Sequence, residues 1–193
     1  MFPSNPKPPP LADRNQGFWA SFSAGMKVTG STVTKIKDTP EFCVALGAKE
    51  FTSGQHEFDF VIGRLSDGYV YFGVAVPTLS LEQTFCRRDA TDQVWYYFGC
   101  GYTNALRNGW DDLVSKTVGG PSMRVPRLSH GDKVRMSLDL DQGTARFAIY
   151  VPDGNQWKVV PGAIAGIKPP VVAACCLQGK SDFVSLSSAA RAP

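Results

Sequence analysis

The most regular pattern in the chain is GDKVRMSLDLDQGTARFAIY, residues 131–150. Apolar side chains recur at every second position in residues 134–140 and again in residues 145–149. This period of two is typical of strands that place one face on a core. Between the two runs lies the short segment DQG, whose glycine suits a tight turn. The pattern therefore predicts a β-hairpin in which Asp139 and Asp141 accept hydrogen bonds from backbone groups around the turn.

The same period recurs along the chain, and no stretch of helical length shows a clear period of 3.6. In QHEFDFVI, residues 55–62, the histidine and the phenylalanines share one face, and the two acids lie on the other. Further strands are predicted at Thr32–Lys37, Glu41–Leu46, Tyr69–Val76, Val94–Phe98, Val171–Leu177 and Phe183–Leu186. The best helical segment, Asp111–Lys116, is about one turn long. Short strands separated by Gly, Pro and Asp predict an all-β protein, a single antiparallel β-sandwich.

The composition suits one domain and argues against two classes of partner. A chain of 193 residues that is 43% hydrophobic is long and apolar enough to bury its own core. Its 20 Lys and Arg residues against 17 Asp and Glu residues leave a net charge of +3, which gives no electrostatic case for nucleic acid. No apolar run approaches the roughly 20 residues that span a bilayer, so we expect no membrane partner.

The cysteines indicate a reducing compartment. They are five in number, and no CxxC pair occurs. Cys175 and Cys176 are adjacent, so on a strand their side chains point to opposite faces and are poorly placed to bond to each other. The sequence also lacks an Asn-x-Ser/Thr site and the segments of a secretory signal. We therefore expect an intracellular, cytoplasmic protein with reduced cysteines.

Proline content divides the chain into three segments. Residues 1–16 form a Pro-rich leader, since the first ten positions hold five of the fourteen prolines. We expect this leader to be flexible, either without a role of its own or presenting Pro6-Lys7-Pro8-Pro9 to a polyproline-binding groove. Residues 17–188 form the sandwich domain, and residues 189–193 form a short tail.

Three segments carry a family likeness. The first is GQHEFDFVI (54–62) with YFGVA (71–75), the second is DQVWYY (92–97), and the third is the hairpin of residues 131–147. The hairpin matches G-D-x-V-x-x-x-L-D-x-D-x-G-x-x-x-F and is the most specific of the three. Together they resemble the SPRY domain family, and PPVVAA (169–174) with VSL (184–186) is similar to its final strands. The likeness extends from about Phe18 to Leu186 and implies a single bent antiparallel β-sandwich, SPRY / concanavalin A-like, with Trp95 and Phe147 in its core.

Two positions depart from the family pattern. Asp59 stands where the family usually has glutamate. The Asn-Gly that normally ends the second strand of the hairpin is replaced by YVPDGN, residues 150–155. Because the adjoining loop differs, the resemblance supports the fold and not the family's usual binding mode.

Candidate catalytic groups are few. Concanavalin-like sandwiches include glycoside hydrolases, and Glu57 and Asp59 share one strand face, as the two carboxyls about 5–5.5 Å apart in retaining enzymes require. The third acid of the usual Glu-x-Asp-x-x-Glu pattern is missing, because its position is Ile62. The two histidines are His56, expected to be half-buried and hydrogen-bonded, and His130, expected to be exposed in a turn. We predict no catalytic residue.

Metal and cofactor motifs are incomplete. Asp139-x-Asp141-x-Gly143 resembles the start of a calcium loop but lacks the following glycine and the distal glutamate. Gly99-Cys100-Gly101 is followed by Asn104 where a dinucleotide fingerprint needs glycine. We predict no metal and no cofactor.

Two long predicted loops, Pro77–Gln93 and Gly99–Arg127, combine aromatic side chains with arginine, the composition of interface hot spots. They contain seven candidate partner-binding residues, and Trp157, in a later turn region, is an eighth: Phe85, Arg87, Arg88, Tyr102, Asn104, Arg107, Trp110 and Trp157. The alternative is that Tyr102 and Trp110 only pin their own loop to the sandwich.

The implied function is a non-catalytic protein-protein interaction module, an adaptor or scaffold. It would recognise another protein or a peptide segment through loops at one edge of the sandwich, as a monomer alone or as a subunit of a complex. One alternative is a carbohydrate-binding or glycan-hydrolysing concanavalin-like domain. Another is a structural subunit of a larger intracellular assembly whose edge strands dock on a neighbour.

Overall fold

The computed structural model describes residues 18–66, 69–82, 93–100, 128–160 and 163–188. In these ranges the chain forms thirteen strands and a short 3-10 turn at Pro152–Gly154. The strands are β1 (Trp19–Phe22), β2 (Met26–Thr29), β3 (Thr32–Lys35), β4 (Cys43–Phe51), β5 (Gln55–Ile62), β6 (Tyr69–Ala75), β7 (Val94–Cys100), β8 (Lys133–Asp139), β9 (Thr144–Val151), β10 (Gln156–Val159), β11 (Ile164–Ala165), β12 (Val171–Leu177) and β13 (Phe183–Ser188).

These strands form two sheets that pack face to face. The five-stranded sheet has the order β1-β4-β12-β6-β7. The eight-stranded sheet has the order β10-β9-β8-β5-β13-β3-β2, and β11 pairs with β9 further along the same edge as β10. Every strand pairing in the described ranges is antiparallel. The prediction of an all-β antiparallel sandwich is confirmed.

The predicted hairpin lies near one end of the eight-stranded sheet, next to the edge strand β10. β8 and β9 pair along their length across a four-residue turn. Gly143 closes this turn with φ +62°, a left-handed conformation that side chains disfavour. The two predicted aspartates accept backbone N–H groups at 2.9 Å, Asp139 from Gln142 and Asp141 from Gly54. Asp139 therefore closes its own turn, and Asp141 bonds the backbone of the turn between β4 and β5.

Most predicted strands are present with shifted ends. Val171–Leu177 is a strand with the bounds predicted, whereas the prediction of Glu41–Leu46 was wrong at both ends, because the strand is Cys43–Phe51. The second half of that strand has exposed side chains and is held by backbone pairing with β12, so its apolar pattern ends before the strand does. Sequence patterning missed β1, β2, β10 and β11, which are two to four residues long. The helical turn considered at residues 111–116 lies outside the described residues.

The main core lies between the sheets. Trp95 and Phe147 are buried in it, as the family likeness implies. The inward row of β8, from Val134 to Leu138, faces the same core. On β12, Cys175 packs in this core while Cys176 faces the opposite side of the sheet, so the expectation that adjacent cysteines point apart is confirmed.

A second apolar cluster covers the outer face of the five-stranded sheet. It consists of the alternate residues of β4, β6, β7 and β12, including Val44, Val172 and Tyr71, together with Leu79 from the segment after β6. Because both faces of β12 are buried, all seven of its residues are apolar rather than alternating.

One end of the sandwich holds a buried polar cluster. Lys35 at the end of β3 is fully buried, and its ammonium group donates to the backbone carbonyls of Thr39, Glu41 and Gln178. Nearby, the buried carboxylate of Asp182 accepts hydrogen bonds from two segments, at Ser66 and Gly179. These two side chains tie the loop before β4 and the chain before β6 to the β12–β13 turn.

In the ranges that the structure describes, there is no helix of the length and hydrophobicity that a membrane crossing requires.

Candidate functional site

Of the eight residues predicted to bind a partner, the structure places Trp157. Phe85, Arg87 and Arg88 fall in residues 83–92, which lie outside the described residues. Tyr102, Asn104, Arg107 and Trp110 fall in residues 101–127, which also lie outside them. The prediction for these seven residues therefore stays a prediction, and the site described below is built around Trp157.

The segment that departs from the family pattern is what positions Trp157. β9 ends at Val151, and the Pro152–Gly154 turn reverses the chain. Asn155 follows with φ 46° and ψ 43°, a left-handed conformation that asparagine tolerates well. Its side-chain oxygen accepts a hydrogen bond of 2.6 Å from the Tyr150 hydroxyl, which fixes the reversal. β10 then pairs back on β9 with Trp157 opposite Tyr150.

The rings of Trp157 and Tyr150 meet on the outer face of the eight-stranded sheet. Their centroids are 5.4 Å apart at an interplanar angle of 61°, an edge-to-face arrangement. The Lys133 ammonium lies 5.5 Å from the Tyr150 centroid on the other side. Aromatic side chains are thus bordered by a cation within cation–π distance.

Arg135 joins this aromatic pair to an ion pair on the next strand. Its guanidinium donates two hydrogen bonds to the Asp59 carboxylate, from Nε at 2.8 Å and from Nη2 at 3.0 Å. Its central carbon also lies 4.2 Å from the Trp157 ring centroid. Arg135 is paired with Ala148 on β9, and this small side chain leaves room for the guanidinium to reach Trp157 on β10. The hydrogen bonds that Arg135 donates to Asp59 raise the pKa of the Arg135 guanidinium above its ordinary value.

We call this surface the Trp157 face. It comprises the outward side chains of four neighbouring strands, namely Asp59 of β5, Lys133 and Arg135 of β8, Ala148 and Tyr150 of β9, and Trp157 and Val159 of β10. Val159 is 62% exposed and lies two residues after Trp157, on the same face of β10. The face therefore combines exposed apolar area with a guanidinium held in one position.

Chemically, this arrangement is suited to binding the surface of a partner. Trp, Tyr and Arg are the residues that dominate protein interface energetics. The fork of Arg135 is already oriented by Asp59, so less side-chain entropy is lost when a partner covers it. The same ion pair engages one of the two carboxylates considered for a glycosidase, and the other, Glu57, accepts a hydrogen bond of 3.0 Å from Ser137.

The two histidines have structural contacts. His56 is half-buried, its Nε2 lies 2.7 Å from the Ser53 carbonyl oxygen, and its ring packs on Phe51 at 4.6 Å, as predicted. His130 is exposed, and its Nδ1 contacts the Gly63 carbonyl. Among the described residues, no group of three or more His, Cys, Asp and Glu side chains is arranged to hold a metal ion.

Sequence reasoning missed the partners of Trp157. Arg135 and Lys133 are the polar members of an alternating strand, a position that usually means a solvated face. The departure from the family pattern at residues 150–155 could have indicated this site, because these residues replace a short turn with one that leads into β10. Nothing in the sequence indicated that Val159 is exposed on this face, because β10 was not predicted.

Comparisons with known proteins bear on the fold. No protein-family model and no curated protein sequence matches the chain. Among solved structures, the SPRY domain of human HERC1 is similar with a TM-score of 0.57 and 14% identity, over 89% of this chain and 100% of that one. A human SPRY domain gives a TM-score of 0.57 and 16% identity, over 90% and 100% of the two chains. The TRIM65 PSpry domain gives 0.54 and 14%, over 90% and 88%. The chain therefore adopts the SPRY-type β-sandwich fold that its motifs predict.

Proposed function

We propose that this chain is a non-catalytic protein-interaction module that binds a partner protein or peptide through the Trp157 face. The observation that carries the proposal is the stacking of Arg135 on Trp157, with Asp59 holding the guanidinium from its other side. An exposed valine and two aromatic rings beside a fixed cation form the kind of patch that partners cover.

Two contacts of the Trp157 face, those of Trp157 and of Asp59 with Arg135, favour a protein partner over a glycan. One face of the Trp157 ring carries the guanidinium of Arg135, so that ring face is not open as a platform for a sugar. The carboxylate of Asp59, which a glycosidase would need for chemistry, is bonded twice to Arg135. Both contacts instead rigidify a surface, which lowers the entropic cost of binding.

The proposal includes a compartment and an assembly state. Cys43 and Cys175 are free, buried thiols, which is consistent with a reducing, cytoplasmic environment. The seven loop candidates from Phe85 to Trp110 are proposed to extend the binding surface. The module acts as a monomer or as a subunit of a complex, with no nucleic acid, membrane or cofactor.

The test is partner capture from native lysate with matched aromatic variants. Trp157→Ala removes the centre of the face, and Phe22→Ala removes a 40% exposed aromatic residue from β1 of the other sheet. We expect specific partners to bind wild type and Phe22→Ala equally and to lose at least about tenfold in affinity with Trp157→Ala. Equal thermal melting of the variants controls for folding.

A third variant separates the two candidate surfaces. The triple change Tyr102→Ala, Arg107→Ala and Trp110→Ala affects the predicted loop alone. If this variant loses the partner while Trp157→Ala retains it, binding belongs to the loop and the Trp157 face is the wrong surface. Retention by both variants contradicts the proposal as a whole and favours an assembly role through other edges.

A further inference from the structure

Among the residues that the structure describes, no strand pairs with the outer edge of β10, the edge of the eight-stranded sheet next to the Trp157 face. β10 lies at the end of the strand order and pairs with β9 alone among the described residues. Gln156, Lys158 and Val159 on β10 are exposed. An exposed edge strand presents unpaired backbone donors and acceptors, which another chain can pair with.

The register tells which residues present these groups. The Val160 N–H donates to the Phe147 carbonyl at 2.8 Å, so 160 and 147 form a hydrogen-bonded pair. In an antiparallel ladder such pairs alternate, so Lys158 and Gln156 also direct their backbone groups toward β9. Trp157 and Val159 therefore direct their N–H and C=O groups away from β9, toward the open edge. The same two residues contribute their side chains to the Trp157 face.

An added strand would have a defined side-chain pattern. Residues paired with Trp157 and Val159 would place their side chains on the outer face, beside apolar groups. The alternate residues would lie on the side of Lys158, which is exposed and makes no ion pair among the described residues. Lys133 lies on the outer face with Tyr150, so Lys158 is the cation that these alternate residues would meet. The exposed ammonium group of Lys158 favours acidic side chains at these positions of the added strand.

We propose that β10 receives an extended peptide of alternating apolar and acidic residues, which pairs with the backbone of Trp157 and Val159 and extends the eight-stranded sheet. This inference rests on the proposed function and specifies how the Trp157 face is used. Backbone hydrogen bonds supply affinity in this mode, and alternate side chains supply specificity.

A first experiment uses the free protein and needs no ligand. We expect the amide protons of Trp157 and Val159 to exchange at rates near those of an unprotected chain, and those of Lys158 and Val160 to be protected at least about tenfold more. Hydrogen exchange followed by NMR resolves the four amides. Equal protection of all four overturns the proposal, because the edge would then be covered already.

A second experiment uses a designed probe, the acetylated and amidated heptapeptide Val-Glu-Val-Glu-Val-Glu-Val. We expect saturable NMR shifts at β10 and at least about threefold weaker binding of the analogue with lysine in place of glutamate. N-methylation of the probe valines, which face Trp157 and Val159, should abolish binding, whereas N-methylation of the glutamates should leave it within about threefold. Equal effects of the two methylation patterns, or no saturable shift, overturn the proposal.

Variants of the protein give a matched check. Val159→Pro removes a donor on the open edge and none of the bonds to β9, and proline is tolerated on edge strands in this orientation. We expect it to weaken probe binding at least about tenfold, and Lys158→Glu at least about threefold, while Lys27→Glu on β2 at the other end of the sheet has no effect. Unchanged binding by Val159→Pro overturns the proposal. If Val159→Pro does not fold, the methylated probes decide with wild-type protein.

The two proposals fail in different ways. If partner capture depends on Trp157 but the probe does not bind β10, the face binds its partner without strand addition. If capture does not depend on Trp157, the proposed function is wrong, whatever the probe does.

Discussion

Lys35 offers a stringent test of how the sandwich is held together, because its side chain is completely buried. The ammonium group has three N–H donors and three backbone acceptors, the carbonyls of Thr39 at 2.5 Å, Glu41 at 2.6 Å and Gln178. These acceptors belong to the loop between β3 and β4 and to the residue that follows β12. Lys35→Met keeps a side chain of similar length while removing the charge and all three donors.

The expected loss follows from two opposing quantities. Each hydrogen bond from a charged donor stabilises the folded state by about 1.5–3 kcal/mol, so the three bonds of Lys35 together contribute about 5–9 kcal/mol. Against this, the methionine avoids the desolvation of a buried ammonium, which costs several kcal/mol. Glu41 is exposed and Thr39 is half-buried, so water can reach part of the vacated acceptors. We expect Lys35→Met to lower the free energy of unfolding by about 3 kcal/mol, and the melting temperature by about 6–12 °C.

Urea denaturation followed by tryptophan fluorescence and circular dichroism measures this loss. Lys27→Met is the matched control, because Lys27 is exposed on β2, and it should change the free energy of unfolding by less than about 0.5 kcal/mol. The m-value should stay constant, so that the shift in midpoint reports stability alone. A loss under about 1 kcal/mol for Lys35→Met would falsify the reasoning, since the three bonds would then contribute no more than solvation does.

Three further changes test other parts of the structure. Asp59→Asn leaves Arg135 partly buried with a neutral partner, and we expect a loss of about 1 kcal/mol by urea denaturation together with weaker partner binding; unchanged binding would contradict the preorganisation of the face. Burial raises the pKa of the Cys175 thiol, so its stabilising effect is complete below the unfolded value of 9.0 and is lost as pH rises above it. Cys175 should accordingly resist iodoacetamide at pH 8 until urea unfolds the protein, and fast labelling of the native state would contradict its burial. Gly73→Ala would place a Cβ 2.2 Å from the Trp95 carbonyl oxygen across the β6–β7 pair, and we expect a loss above about 2 kcal/mol in thermal or urea melts; a loss below about 0.5 kcal/mol would show that the strands separate freely.

Sequence patterning predicted two kinds of strand, those whose burial alternates and the continuous apolar runs of β6 and β12, which are buried on both faces. In β5, β8 and β9 the inward residues are apolar apart from His56, and the outward residues are mostly polar, so the strand and its two faces can be predicted from its own sequence. The glycine of the β8–β9 turn fixed the hairpin for a similar local reason, since its positive φ excludes most other residues. The short strands β1, β2, β10 and β11 have too few residues to show a period, and the far half of β4 is exposed.

The contacts within the Trp157 face could not be predicted from patterns within single strands. Trp157 was predicted from its residue type and its place after a turn, but nothing near it in sequence names Arg135 or Asp59. Asp59 and Arg135 are 76 residues apart and meet only because β5 and β8 are neighbours in the sheet. Arg135 reaches Trp157 on β10 across β9, because the residue opposite Arg135 on β9 is Ala148, whose side chain is small.

By itself, the sequence determined the fold class, because the two-residue period and the turn glycines act within single strands and hairpins. It also determined that Cys175 and Cys176 face apart and that Asp139 accepts a backbone N–H within the β8–β9 turn. Only the tertiary structure decided that Lys35 is buried among three carbonyls and that an arginine stacks on Trp157. It likewise decided that β10 is the last strand of the sheet among the described residues, with the backbone N–H and C=O groups of Trp157 and Val159 directed away from β9. These features depend on strand order and register, which arise from the packing of distant segments against one core.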